Sequence, residues 1–257
     1  MTVSLQIVYL FMLVTSRVSG LVTLGPVFSN MMINAKVRIG LVLSISAVLT
    51  AALPAQKELN PSMMSFGFAM AGEFATGLLI AGGFRLALTS ASIAGELAGL
   101  QMGLGSAALF DPNTAANSSV LPNFFMQAFT ILFISLDGHH HMLRILSDSF
   151  VTINPAGKLT LPSIEFLLRQ SAEMLSYGCR LAAPVVIPLL LITIAVGMVS
   201  RVFPQANVMS LSYAVSMTVG LLLLAVTMTG IDGAVWHLIQ EADRFALRNL
   251  QELSGQN

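Results

Sequence analysis

Charged side chains make up only 9% of this 257-residue chain, twelve basic and twelve acidic, for a net charge of zero. Soluble domains carry about 25% charged residues, so the deficit excludes an ordinary soluble domain. The balance also argues against nucleic-acid binding by counterion release, which needs an excess of clustered cations. A single cysteine, Cys179, leaves no disulfide framework and no thiolate metal cluster. It is expected to be a small apolar packing residue. No phosphate-binding loop, nucleophile elbow or zinc-protease helix occurs, so neither a catalytic residue nor a cofactor site is expected. The start of the chain lacks the basic region and small-residue cleavage pattern of a signal peptide, so its first apolar stretch reads as retained.

What the chain has in quantity is hydrophobic residues, at 55%, among them 15 methionines. Long apolar stretches cover residues 5–28, 37–53, 66–81, 121–136, 181–199 and 208–231. A helix needs about 20 apolar residues to cross a bilayer, and several of these stretches are short or carry a polar residue. Residues 138–171 are mixed and polar, the part most like an extramembrane segment, and the tail from Trp236 to Leu253 is amphipathic. Prolines paired with turn residues punctuate the rest. The expected fold is therefore all-α and membrane-type: long, partly kinked helical hairpins, with six hydrophobic helices plus one more described next. Cations divide six against four between the two sides of a six-span arrangement, too evenly to orient it. Such evenness suggests helices that are not simple lipid-bathed spans.

The additional helix, expected over residues 91–109, carries Gly95, Gly99 and Gly103 at four-residue spacing. Residues four apart share a helix face, so these glycines form a bare stripe that also holds Glu96. Leu97, Leu100 and Leu104 lie on the other side. Glycine costs about 1 kcal/mol per helical position relative to alanine, so a stripe of three calls for a compensating close helix contact. The partner helix could belong to this chain or to a neighbouring subunit.

Arg17, Glu73 and Glu96 fall inside apolar stretches and Arg85 beside one, where a bare charge in lipid costs several kcal/mol. They could form a proton relay or a polar pore lining. For Arg17 and Glu73 the favoured reading is a buried pair that fixes helix register. His139, His140 and His141 are not expected to bind metal, because consecutive helical residues point about 100° apart.

Three segments carry a resemblance. The first is Gly95-Glu96-Leu97-Ala98-Gly99-Leu100-Gln101-Met102-Gly103 with Asp111-Pro112. The second runs from Arg17-Val18-Ser19-Gly20 through Pro26-Val27-Phe28 to Ala35-Lys36-Val37-Arg38-Ile39-Gly40. The third is Arg201-Val202-Phe203-Pro204-Gln205-Ala206-Asn207-Val208, which looks like an arginine–proline–glutamine turn between the last two apolar stretches. Together, in order and over nearly the whole length, they resemble the FliR family of flagellar biosynthetic proteins, part of the type III secretion export gate. Ala206 and the triple histidine depart from the family pattern.

The resemblance implies a non-enzymatic subunit that forms, with several copies of FliP and FliQ, an inner-membrane channel for unfolded flagellar substrates. FlhB-type switch and FlhA-type gate proteins would be further partners, at the flagellar basal body and in part above the bilayer plane. Residues 1–177 would be FliP-like and residues 178–257 a FliQ-like hairpin with its tail. A pore plug would fall at residues 110–122, including Phe110, Asp111, Pro112, Asn113 and Asn117. The family turn would comprise Arg201, Pro204, Gln205 and Asn207. The homologous injectisome gate is the nearest alternative, and a proton-coupled small-molecule carrier a more distant one.

Overall fold

The computed structural model describes residues 2–29, 33–53, 63–104, 120–155, 164–202 and 208–254, and no strand occurs among them. In chain order the helices are α1 (Thr2–Leu24), α2 (Ala35–Ala52), α3 (Met63–Gln101), α4 (Val120–Ser135), α5 (Gly138–Thr152), α6 (Ile164–Val202), α7 (Val208–Thr227) and α8 (Ile231–Ser254). A short 3-10 turn, Met228–Gly230, joins the last two. Five helices among the described residues are long and apolar enough to cross a membrane.

Local chemistry accounts for several helix ends. The Asn34 side chain accepts a hydrogen bond from the Lys36 N–H at 3.1 Å and caps α2, satisfying one of its orphan donors. Pro122 sits in the first turn of α4, where its missing N–H removes no helical bond. The end of α3 is a Schellman closure. Leu104 N–H donates to the Gly99 carbonyl at 3.0 Å, Gly103 N–H donates to the Leu100 carbonyl at 3.1 Å, and Gly103 takes a φ of 77°.

Two expectations change at α3. The stretch 66–81 and the glycine-striped helix are one continuous element of 39 residues. It also stops at Gln101, short of the expected residue 109, so Gly103 terminates the helix instead of extending its stripe. At 1.5 Å per residue, α3 and α6, with 39 residues each, are about 58 Å long. That is nearly twice the roughly 30 Å hydrocarbon core of a bilayer. Ordinary tilts of up to about 40° shorten such a helix by only about a quarter, so both extend beyond one hydrocarbon layer.

The chain forms two compact units that interleave along the sequence. The first comprises Met1–Ala87, Ile134–Gln170 and Ile239–Asn257; the second comprises Leu88–Phe133 and Ser171–Leu238. The division expected between residues 177 and 178 falls inside the uninterrupted α6. In the first unit, Leu13, Leu21, Ile80, Phe84, Met142, Leu146 and Leu250 are fully enclosed. In the second, Ala94, Ala98, Phe129, Val185 and Leu189 are buried, and the Phe125 and Phe129 rings stack at 6.2 Å. A small apolar cavity in that unit is lined by Ala94, Ala98, Phe125, Phe129, Pro184 and Val185.

Burial is uneven among the candidate spans. More than half of the most apolar part of α3 is enclosed, against a small share of α2 and α6. Of the residues of α2, only Val42 and Ser46 are buried. The amphipathic tail forms α8 as expected, with Ile239, Ala242, Ala246, Leu250 and Leu253 inward at helical spacing. The polar region before residue 171 contains α5, whose buried stripe includes Met142, Ile145, Leu146 and Phe150. Cys179 is exposed, contrary to the packing role expected of it.

Candidate functional site: a buried arginine staple and the glycine contacts

Within the first unit, α1 and α3 meet through small residues. A methyl group added at Gly20 would run into the Phe74 carbonyl oxygen, and one added at Gly77 into the Arg17 carbonyl oxygen. The two backbones thus touch directly, a separation that only glycine permits on both sides. One turn away the Ser16 hydroxyl donates to the Met70 carbonyl at 2.7 Å. This interlocked pair aligns α1 against α3 in one register.

That register places Arg17 opposite Glu73. Arg17 Nε donates to Glu73 Oε2 at 2.5 Å, and neither side chain has any exposure to solvent. The remaining nitrogens reach α5 and its end. Nη1 donates to the Ser149 hydroxyl at 2.9 Å, and Nη2 to the Ile153 carbonyl at 3.1 Å. The Ser149 hydroxyl passes its own proton on to the Leu146 carbonyl at 2.6 Å. Below the guanidinium lies the buried Phe150 ring, its centroid 4.1 Å from Cζ, within cation–π range. One arginine therefore ties three helices together, with every guanidinium nitrogen occupied. A charge held this way is a register-fixing group, in line with the favoured reading of the sequence.

The second unit holds the glycine stripe of α3. A Cβ at Gly95 would lie 2.8 Å from the Leu121 carbonyl oxygen and 2.9 Å from Pro122 Cα, so α3 meets the start of α4 backbone to backbone. At Gly99 the same test finds only Leu121 Cβ at 3.7 Å, an ordinary contact. Gly103 combines its positive φ with the Tyr213 ring of α7, 2.5 Å from where a Cβ would sit. The stripe's close partner is thus this chain's own α4. Gly178 of α6 makes a comparable approach, with a Cβ there meeting the Ser90 carbonyl oxygen at 2.8 Å.

Glu96 is exposed on α3, and so is Leu100 one turn on. Arg201 is exposed in the last turn of α6. Pro204, Gln205 and Asn207 lie outside the described residues, as do Phe110, Asp111, Pro112, Asn113 and Asn117. The three histidines separate. His141 Nδ1 lies 2.8 Å from Asp243 Oδ2 and ties α5 to α8, while His139 and His140 stay together at the start of α5. The Gly20–Gly77 interlock was not singled out from sequence. Its signal was Gly20 following Arg17 by three residues and Gly77 following Glu73 by four, glycine one turn beyond each buried charge.

Long apolar helices locked by a buried ion pair and backbone-close glycine contacts define a helical membrane protein. The chain belongs to the bacterial export proteins, family 1, whose sequence profile matches residues 8–242. It is similar to the flagellar biosynthetic protein FliR of Pectobacterium carotovorum subsp. carotovorum, with 32% identity over 247 residues covering 93% of this chain and 92% of that one. FliR of Escherichia coli (strain K12) is 30% identical over 227 residues, covering 88% and 86% of the two chains. FliR of Bacillus subtilis (strain 168) is 26% identical over 251 residues, covering 95% of each.

Proposed function

We propose that this protein is a subunit of the flagellar type III export apparatus in the bacterial inner membrane, assembling with FliP and FliQ into the channel for unfolded substrates. The observation that carries this reading is similarity to FliR proteins along essentially the full length of both chains. The structure supports an assembled state. Val37, Ile39 and Val48 of α2, Leu191, Ile194 and Met198 of α6, and Leu222 and Val226 of α7 are all well exposed. Exposed apolar faces, on α6 along a helix too long for one hydrocarbon layer, call for protein partners as well as lipid. FlhA- and FlhB-type proteins would then supply energy coupling and substrate switching, the chain's own role being conduction, not catalysis.

In this reading residues 110–119 close the pore, residues 120–122 of the expected plug being the start of α4 instead; the composition of 111–119, DPNTAANSS, is polar and turn-forming as a displaceable plug requires. The test is deletion of the gene followed by complementation. The wild-type chain should restore motility and co-purify with FliP and FliQ. A strain that stays motile without the gene, or restored secretion of virulence effectors in place of motility, would overturn the flagellar assignment.

A further inference from the structure

We propose that Asp137, His139 and His140 form a binding site for a divalent transition ion, with Zn(II) as the reference ion. The inference is independent of the export reading. Consecutive histidines on a regular helix splay apart; here His139 and His140 stand in the first turn of α5, and the third residue, Asp137, precedes the helix. Asp137 stands in the left-handed region with φ of 59°, a conformation that aspartate tolerates better than most residues. The turn is held by its backbone. The Asp137 N–H donates to the Ile134 carbonyl at 3.2 Å, and the Asp137 carbonyl accepts from the N–H groups of His140 at 2.8 Å and His141 at 3.2 Å.

That turn swings the Asp137 carboxylate beside the His140 ring, with Oδ1 and Nδ1 3.2 Å apart. The His139 and His140 rings lean together, centroids 4.2 Å apart. One ligand atom from each of the three residues falls within a set spanning at most 4.8 Å. Metal–ligand bonds of about 2.0–2.2 Å in a tetrahedron put ligands roughly 3.3–3.6 Å apart. The Asp137–His140 separation, 3.2 Å, is close to such an edge, and the wider separations must shorten when an ion binds.

The donor set, two imidazoles and a carboxylate, is the type that binds Zn(II) with a fourth position left for water. The side chains of Asp137 and His140 are about two-thirds exposed, so an ion has access from solvent. Among the described residues, His139 Nδ1 has no hydrogen-bond partner. A nitrogen enclosed without a partner is a polar group whose lone pair a cation can satisfy. The start of a helix carries partial positive charge, which the Asp137 carboxylate offsets. His141 takes no part, because its ring is engaged with Asp243.

The test uses the full chain, purified in detergent with a tag free of histidine, stripped with chelator and titrated with Zn(II) against a chromophoric competitor. One ion per chain is expected, with at least a tenfold loss of affinity in H139A/H140A and no change in H141A. Co(II) loaded into the same protein should give the intense visible bands of a four-coordinate site. His140 is largely exposed and His139 and His141 only partly so; D137N and H140Q, at exposed positions, serve as milder versions if the double variant fails to fold. Absence of Zn(II) binding, or equal affinity in the wild type and all of these variants, would overturn the assignment.

Discussion

Replacing Arg17 with alanine gives the most stringent test of the staple between α1, α3 and α5. The substitution leaves the Glu73 carboxylate enclosed without its cation, and breaking a buried pair from one side costs about 3–5 kcal/mol. It also removes the donors to the Ser149 hydroxyl and the Ile153 carbonyl, and the contact with the Phe150 ring. A loss of that size lowers the folded-to-unfolded ratio by a factor of roughly 100 or more. The double variant R17M/E73M is different in kind. It removes both charges and keeps comparable volume, and such swaps range from neutral to about 1–4 kcal/mol stabilising. The assay is thermal or denaturant unfolding in detergent followed by helical circular dichroism, comparing wild type, R17A, R17M, E73M and R17M/E73M. Arg17→Ala should be severe, and R17M/E73M should recover most of the loss. Motility separates structure from proton transfer. A staple predicts that R17M/E73M still swims, whereas a relay predicts loss of export with normal assembly. An Arg17→Ala variant as stable as a surface substitution, within about 0.5 kcal/mol of wild type, would show that Arg17 does not staple these helices.

The glycine contacts give a graded series. Gly77→Ala and Gly95→Ala push a methyl group into backbone, and both should sharply reduce the yield of folded protein in membranes, whereas Gly99→Ala has room and should be neutral or slightly stabilising. Gly103→Ala should lose about 1–2 kcal/mol from its left-handed φ before any clash with Tyr213 is counted, read as a lower unfolding midpoint. Deleting residues 113–119 should make the assembled complex leak small ions in vesicles, and unchanged permeability would remove the plug assignment.

Sequence periodicity located the helices well because apolar length is a local property. The break placed between residues 81 and 91 was not there. Gly82, Gly83 and Arg85 look like interruption, yet α3 runs through them. A Cβ at Gly83 would sit 2.6 Å from Phe245 Cδ1, so a tertiary contact with α8 offsets the local cost of glycine. The Schellman end at Gly103 was misread for the opposite reason. A four-residue glycine spacing fits a continuing stripe and a C-terminal cap equally well until the partner hydrogen bonds are known. Arg17 and Glu73 were legible as a buried pair because an unpaired charge there is so costly. Ser149, Phe150 and Ile153 were not, since more than a hundred residues separate them from Arg17 and no pattern links them. The histidine cluster shows the same limit. The left-handed turn at Asp137 that draws the ligands together is a backbone state that residue type alone does not announce.

In the proposed assembly FliP and FliQ cover the exposed apolar faces of α2, α6 and α7. Mass measurement of the intact complex, purified from native membranes through a tag on this chain, tests it most directly. The predicted result is one copy of this chain with several copies each of FliP and FliQ. A mass accounted for by this chain alone, as monomer or homo-oligomer, would contradict it.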